Sequence, residues 1–265
     1  MARIRLLTSV LLISWLILPL IPLAIWSFAH GWTYPDLLPR VWTLHSWAFA
    51  LSSQSGVLQS LALTTGIALA ATALSVLLGV PAGRALGQYN FRGKAAVELI
   101  ILAPILVPGL AAAMGLQSVF IGLGLTGSVI GVVLVHLIPT LPYMVLVMAG
   151  VFAAYDPQAE DQARSLGASQ LQVFRHVTLP AVTPGIIVGA MFTFLVSWSQ
   201  YILTLTIGGG RVQTLPLLLF QFATSGRNDI AGAIGVIYIL PGLLILIFTA
   251  QRLTGRNAAV AGFGQ

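Results

Sequence analysis

The chain has 265 residues, of which 58% are hydrophobic and 7% are charged, and its mean hydropathy is +0.98. This composition excludes an ordinary soluble domain and predicts an integral membrane protein, because a helix needs about 20 apolar residues to cross a bilayer. The net charge is +6, but the basic residues stand singly or in small groups at the ends of apolar segments, which argues against nucleic-acid binding. The absence of cysteine excludes disulfides, paired-cysteine zinc sites and thiol chemistry.

Six apolar segments of spanning length follow one another along the chain. The first, residues 6–28, is too long for a signal-peptide core and lacks a small-x-small cleavage site, so it is predicted to be a retained membrane helix. The others cover about residues 57–82, 95–120, 129–152, 184–207 and 230–250. We therefore expect a first helix with an external loop (1–55), a core of five helices (56–252) and a tail (253–265).

The loop at residues 29–55 is rich in aromatic side chains, including Trp32, Tyr34, Trp42 and Trp47. Rings of this kind are typical of a membrane–water interface, which would explain them without any functional role. The alternative is a docking surface for an extracytoplasmic partner.

Positive charge in the connecting loops predicts the orientation. With the amino terminus inside, the inner side carries nine basic residues: Arg3, Arg5, Arg84, Arg92, Lys94, Arg164, Arg175, Arg252 and Arg256. The outer side carries three: Arg40, Arg211 and Arg227. Both termini are therefore predicted to be cytoplasmic, and the loop at 153–183 becomes the one sizeable cytoplasmic feature.

The chain lacks the motifs of a self-sufficient enzyme. It has no GxxxxGK[ST] phosphate-binding motif, no GxSxG elbow and no HExxH helix, and Lys94 is its single lysine. The ionisable residues within the spans are Glu98, near the cytoplasmic end of the third, and His136 in the fourth. Since ion-coupled secondary transporters commonly carry a carboxylate at mid-membrane, secondary transport is disfavoured. We expect no catalytic residue, no metal site and no cofactor bound by the chain itself.

Polar side chains recur at helical spacing within the later spans, and especially along one predicted face of the fifth. They either hydrogen-bond between helices or line a translocation path. The candidate path residues are Gln117, His136, Thr140, Tyr143, Thr193, Ser197, Trp198, Gln200, Tyr201 and Thr204.

The stretch at 156–180, DPQAEDQARSLGASQLQVFRHVTLP, gathers charge between two apolar spans. Asp156 is a good N-cap before Pro157, and Gly167 is a good left-handed stop, so a short helix is predicted between them. Glu160 and Asp161 reach Arg164 on one face, while Ala159, Ala163 and Leu166 form a small apolar face. A second short helix is expected next, before Leu179-Pro180 turns the chain back to the bilayer.

This stretch resembles the EAA loop of the permease subunits of type I, binding-protein-dependent ABC importers. The family pattern is EAA, three residues, Gly, nine residues and Ile-x-Leu-Pro; here Asp161-Gln162-Ala163, Gly167 and Val177-Thr178-Leu179-Pro180 stand at those positions. The segments APILVPGL and LPAVTPGI are also similar to that family. Asp161 and Gln162 depart from the Glu and Ala of the pattern.

The resemblance implies an all-α membrane protein of six helices with the type I ABC importer permease fold and a cytoplasmic coupling helix. It also implies ABC ATPase subunits that bind ATP and Mg, a second permease subunit, identical or homologous, a periplasmic substrate-binding protein, and a bacterial inner-membrane location. The ATPase-coupling residues would be Glu160, Asp161, Gln162, Ala163, Leu166, Gly167, Leu179 and Pro180.

The cargo is predicted to be a small organic cation, thiamine-like or polyamine-like. The chain resembles the spermidine/putrescine, thiamine and ferric-iron branch, and its fifth-span segment VSWSQY offers Trp198 and Tyr201 as cation–π faces. The alternatives are a stand-alone secondary transporter or channel and a non-transporting membrane scaffold.

Overall fold

The computed structural model describes residues 7–8, 11–12, 14–15, 17–33 and 35–261, and the side chains among them except those of 246 and 248–261. The described chain is mainly helical, with two two-residue strands. The strands are β1 (Ala29–His30) and β2 (Val41–Trp42); the helices are α1 (Leu20–Phe28), α2 (His45–Ala50), α3 (Val57–Gln88), α4 (Lys94–Leu106), α5 (Gly109–Gly122), α6 (Val129–Ala153), α7 (Gln158–Ser165), α8 (Gln170–Val173), a π-helical segment (Phe174–Thr178), α9 (Leu179–Trp198), α10 (Ile202–Gly208), α11 (Leu215–Thr224) and α12 (Asn228–Ala261).

Two compact units divide the chain. The first contains residues 1–64 and 213–243, and the second contains residues 65–212 and 244–265. In the first unit β1 and β2 pair antiparallel, with Ala29 opposite Trp42. The Leu215 backbone N–H at the start of α11 donates to Thr64 Oγ1 at 2.8 Å, which satisfies a buried group that the helix itself leaves unpaired.

Four described helical stretches are long and apolar enough to cross a membrane: Val57–Gln88, Val129–Ala153, Gln170–Trp198 and Asn228–Ile245. The pair α4 and α5 makes a fifth if it is counted as one span. Residues 6, 9, 10, 13 and 16 of the first predicted span (6–28), residues 262–265 of the predicted tail, and Tyr34 lie outside the described residues. The described chain thus supports a multi-pass helical protein with four or five spans, and the sixth stays a prediction.

The third predicted span is not straight. α4 and α5 meet at an angle of 106° across Val107 and Pro108, so the third predicted span, 95–120, consists of two helices and not of one. Val107 is extended (φ −80°, ψ 131°), as expected for a residue that precedes proline. Pro108 has no N–H to continue the helical ladder, and the new helix begins at Gly109.

The fifth predicted span is displaced toward the amino terminus. Helical structure runs from Gln170 through the π segment to Trp198, and α10 is a separate helix, so a single helix over 184–207 is also wrong. There is no turn at Leu179-Pro180, because the π segment carries the chain directly into α9. In a π segment the backbone N–H bonds to the carbonyl five residues earlier, as the Leu179 N–H does to the Phe174 carbonyl. The next residue, Pro180, has no N–H to donate.

The core of the second unit lies where α3, α6 and α9 meet. Met144, Met148, Phe152 and Val182 form a buried cluster. Glycines on the neighbouring helices allow this close approach: a Cβ on Gly79 would lie 2.5 Å from Met144 Cγ. The same α6 face meets the other glycines of the interface, Gly83, Gly87, Gly185 and Gly189.

Candidate functional site

The surface loop begins with the cap that its sequence predicts. Asp156 Oδ1 accepts the backbone N–H of Gln158 at 2.9 Å across Pro157, so α7 starts where the helix signal lies. α7 ends at Ser165, and Gly167, two residues later, takes the left-handed conformation with φ +88°. The Gly167 N–H reaches the Arg164 carbonyl and the Ala168 N–H reaches the Ala163 carbonyl, the paired bonds of a Schellman motif.

The second short helix has its own cap. Ser169 and Gln172 form a capping box, in which the Ser169 N–H donates to Gln172 Oε1 at 2.8 Å and the Gln172 N–H donates back to Ser169 Oγ. Both turns of the loop are therefore fixed by local bonds, and α7 and α8 are held as a defined surface feature.

Glu160 anchors the loop to the membrane helices. Its side chain is 3% exposed, and Arg84 Nη2 of α3 donates to both carboxylate oxygens at 2.9–3.0 Å. Thr178 Oγ1, at the end of the π segment, donates to Glu160 Oε1 at 2.7 Å, and Arg164 Nη2 donates to Oε2 at 2.9 Å. We call Glu160, Arg84, Arg164 and Thr178 the Glu160 cluster; one carboxylate joins α3, α7 and the entry to α9.

The environment of Glu160 keeps it ionised. Burial alone would raise the pKa of this carboxyl, but the bonds from Thr178 and Arg84 and the charge of Arg84 lower it below its ordinary value. Burial raises the pKa of the neighbouring Tyr155 phenol, which therefore stays neutral. Arg84 is held in turn by Gln88 Oε1 at 2.9 Å and lies 5.6 Å from the centre of the Phe152 ring.

The other predicted coupling residues lie on the outer surface of the loop. Leu166 is 89% exposed, and Asp161, Gln162, Gly167 and Pro180 are exposed as well, while Ala163 and Leu179 are half-buried. The predicted pairing of Arg164 is confirmed, with Asp161 Oδ1 at 2.6 Å. A groove of about 440 Å³ runs beside Leu166 and is lined by Ala163, Leu166, Gly167, Ala168, Gln172, Val173, His176 and Val177.

A cavity of about 450 Å³ lies within the second unit, beside the bend between α4 and α5; we call it the membrane cavity. Three predicted path residues, Tyr143, Gln200 and Tyr201, line it. The remainder of its lining is Pro104, Ile105, Val107, Gly109, Ala112, Leu116, Ile138, Pro139, Val196, Ser199, Ile202 and Leu203, so no charged side chain lines it.

The remaining predicted path residues do not line this cavity. His136, Thr140, Thr193, Ser197, Trp198 and Thr204 are buried, with 0–3% exposed. Several bond to one another or to helix backbone, as the Thr140 hydroxyl does with Ser75 Oγ at 3.0 Å. Gln117 is exposed on α5. The predicted stripe on one continuous helix is wrong, because the helix ends at Trp198 and Thr204 belongs to α10.

Arg84 and Thr178 are the site residues that sequence reasoning missed as partners of Glu160. Arg84 lies 76 residues before Glu160 and has no periodic relation to it. The sequence offered one signal: Glu160 lies in a short helix beside apolar spans, and a carboxylate that is buried there needs a cation as its partner. Among the described residues, no group of three or more His, Cys, Asp and Glu side chains is placed to hold a metal ion.

The described helices define a multi-pass helical membrane protein, and residues 75–257 match the family model described as binding-protein-dependent transport system inner membrane component. The chain belongs to this family, the inner-membrane permease subunits of ABC importers.

Curated relatives agree with the family. The spermidine/putrescine transport system permease protein PotC of Haemophilus influenzae is 25% identical over 212 residues, covering 80% of this chain and 82% of the relative. The molybdenum transport system permease protein ModB of Mycobacterium bovis is 30% identical over 229 residues, covering 81% and 84%.

A solved structure agrees in fold. A bacterial ABC transporter involved in the import of the acidic polysaccharide alginate matches with a TM-score of 0.71 at 18% identity, over 94% of this chain and 95% of that one.

Proposed function

We propose that this chain is the translocating subunit of an ATP-driven importer in a bacterial inner membrane. It pairs with a second permease subunit, receives cargo from a periplasmic binding protein, and is driven by separate ATPase subunits that hold ATP and Mg. The observation that carries the proposal is the loop at 153–183, which is tied to the membrane helices through Glu160 and leaves Leu166 uncovered.

The outer surface of this loop suits a partner protein. Leu166 is 89% exposed and Leu171 is 74% exposed, on a segment otherwise rich in polar side chains. Apolar side chains that protrude beside a groove are typical of a docking site, since their burial against a partner is favourable. An ATPase groove that encloses α7 would cover Leu166 and the small apolar face of Ala159 and Ala163.

The Glu160 cluster gives the docked loop a mechanical connection to the membrane. When the ATPase closes and shifts α7 as a rigid body, Glu160 carries the displacement to Arg84 on α3 and to Thr178 ahead of α9. These two helices border the α6 core, so ATP-driven motion at the surface would change the packing of the spans.

The cargo class is a small organic cation. Tyr143 and Tyr201 offer aromatic faces to the membrane cavity, and Ser199 and Gln200 offer neutral polar groups. Aromatic faces attract organic cations, whereas an anion would meet no cationic side chain in this lining. Among the relatives, one named for spermidine and putrescine supports this class, and one named for molybdenum does not.

Uptake by the complete complex tests the proposal. The chain would be reconstituted with its permease partner, ATPase and binding protein, and assayed with radiolabelled putrescine, spermidine, thiamine and molybdate. We expect ATP-dependent uptake of one of the cations. Transport without the ATPase would support a stand-alone transporter or channel, and molybdate uptake alone would contradict the cargo class. ATPase binding without transport of any binding-protein ligand would support a scaffold.

Crosslinking tests the docking surface separately. The chain contains no cysteine, so single cysteines at positions 158–167 can be crosslinked to a cysteine beside the ATPase groove. Exposed positions 162 and 166 should react, while Arg92→Cys, on the other predicted cytoplasmic loop, is the matched control. Gly167→Asp should abolish uptake, because Asp tolerates the left-handed conformation less well than glycine and adds charge to the surface. Absence of crosslinks together with normal uptake by Gly167→Asp would refute ATPase docking here.

A further inference from the structure

A non-helical segment lies against the membrane cavity. α9 ends at Trp198 and α10 begins at Ile202, and the intervening residues, Ser199, Gln200 and Tyr201, all line the cavity. Within the break the Gln200 N–H reaches the Ser197 carbonyl at 3.2 Å and the Ser199 N–H reaches the Leu195 carbonyl at 3.1 Å, while the Tyr201 carbonyl accepts from the Leu205 N–H of α10 at 2.8 Å, so no backbone bond joins α9 to α10 across the three residues. Such a segment needs support from a neighbouring helix to hold one conformation.

His136 of α6 provides a bridge across this break. Its Nδ1 lies 2.8 Å from Ser197 Oγ at the end of α9, and its Nε2 lies 2.9 Å from Thr204 Oγ1 in α10. The imidazole is 1% exposed, and both hydroxyl partners are equally buried. One ring therefore bonds to the chain on both sides of residues 199–201 without lining the cavity itself.

The hydrogen bonds have one consistent direction. Thr204 Oγ1 donates to the Gln200 carbonyl at 3.0 Å, so it accepts from His136 Nε2–H. Nδ1 is then unprotonated and accepts from the Ser197 hydroxyl. The chain of bonds runs from Ser197 through His136 and Thr204 to the backbone of Gln200, which places the ring in direct control of a cavity-lining residue.

We propose that His136 is a positioning residue that fixes the segment 199–201 and so sets the shape of the membrane cavity. The inference rests on the proposed function in treating this cavity as part of the cargo path. His136 acts through Ser197 and Thr204 and does not touch cargo. Its loss removes the bond between α6 and the buried Ser197 hydroxyl and one of the two bonds of the Thr204 hydroxyl, so the backbone at Gln200 is held less firmly.

Side-chain shape supplies graded variants. The amide of glutamine reaches the position of Nε2, so His136→Gln keeps the bond to Thr204. The shorter asparagine reaches the position of Nδ1, so His136→Asn keeps the bond to Ser197. His136→Phe preserves much of the ring volume and loses both bonds. Ser75→Ala is the matched control, because it removes a buried bond to the same helix, at Thr140, away from the break.

A structural measurement tests the proposal without any cargo. In the intact complex carrying Gln200→Cys, the rate of maleimide labelling reports the freedom of the segment. His136→Phe should raise this rate about tenfold, as the loss of a buried hydrogen bond predicts. His136→Gln should raise it less, and Ser75→Ala should leave it unchanged. An unchanged rate in His136→Phe, or an equal rise in Ser75→Ala, would overturn the positioning role.

Transport separates positioning from a general loss of stability. With radiolabelled putrescine as probe, His136→Phe should raise the apparent KM for uptake, and His136→Gln should restore most of it. A fall in maximal rate with unchanged KM in every His136 variant would overturn the proposal. If the parent complex does not transport putrescine, spermidine or thiamine replaces it as the probe; transport of none of the three contradicts the cargo class, while the labelling experiment still decides the role of His136.

Discussion

The Glu160 side chain is itself buried, yet it holds a surface loop in place. Its carboxylate is buried, although the residue after it, Asp161, is 69% exposed at its side chain on the same short helix. A buried carboxylate is tolerated where cations and hydroxyls satisfy it, and removal of its charge leaves those partners unpaired. The two neighbouring acids therefore have different roles: Glu160 holds α7 in place, and Asp161 faces the solvent or a partner.

Replacement of Glu160 should loosen the loop. We expect Glu160→Gln to destabilise α7 by about 1–3 kcal/mol, because Arg84 and Thr178 lose their charged acceptor. Hydrogen exchange over residues 158–165 would measure the change. Asp161→Asn is the matched control and should cost no more than about 1 kcal/mol, since its ion pair is exposed. Equal effects of the two substitutions would contradict the anchoring role.

The pH dependence of the loop follows from the same carboxylate. The folded protein lowers the pKa of Glu160 below its ordinary value of 4.5, so its contribution to stability is complete above that value and is lost as the pH falls through the lowered pKa. Protection factors of α7 amides, corrected for intrinsic exchange, should be constant down to about pH 6 and decline only in the acid range. Loss of protection near neutral pH would show that another group controls the loop.

At the scale of the helices, glycine decides how closely α3 and α6 approach. A Cβ on Gly83 would clash with Met148 Cβ and lie 2.9 Å from the backbone nitrogen of Ala149. The α6 backbone that faces Gly83 cannot move aside as a flexible side chain can. Close contacts of small residues are a main source of helix association in membranes, where the hydrophobic effect does not drive it.

Enlarging Gly83 should therefore separate these helices. Gly83→Val should lower the melting temperature of the purified protein in detergent and abolish assembly with the ATPase. Gly66→Val is the matched control on the same helix, because a Cβ at Gly66 meets no atom within 4 Å. A melting temperature lowered equally by both substitutions would indicate helix propensity rather than packing as the cause.

The helices show which structural features the sequence patterns predicted and which they did not. Composition predicted a multi-pass helical protein but not the bounds of the third and fifth spans, whereas the bond from Asp156 at the start of α7 and the stop at Gly167 were predicted correctly because they depend on neighbouring residues. The 106° bend at Pro108 was missed, since a proline in a membrane helix is often accommodated and only the packing decides. The break after Trp198 contains neither proline nor glycine, so no local signal marked it, and the bonds of His136 to both sides of it join residues that are distant in the chain.

For the whole molecule, contacts distant in the chain were beyond sequence reasoning. The spacing of the EAA-like loop was enough to identify the family and to place the loop at the surface, because it depends on residues that lie close together in the chain. The pairing of Arg84 with Glu160 and the division of polar residues between the cavity lining and the buried bonds depend on how separate helices pack. The polar stripe predicted from helical periodicity was thus composed of residues with two different placements.

Coupling itself can be tested through Leu166. This side chain is 89% exposed and contributes little to internal packing, so Leu166→Glu should leave the melting temperature of the isolated chain unchanged. In the reconstituted complex a charge at this point would be buried against the ATPase, which is strongly unfavourable, and ATP-driven uptake should fall at least about tenfold. Asn90→Glu adds the same charge at an exposed position on the other predicted cytoplasmic loop and serves as the control. If Leu166→Glu supports uptake at the parental rate while Gly167→Asp also remains active, the ATPase docks elsewhere, and the role of Glu160 would reduce to holding a surface loop.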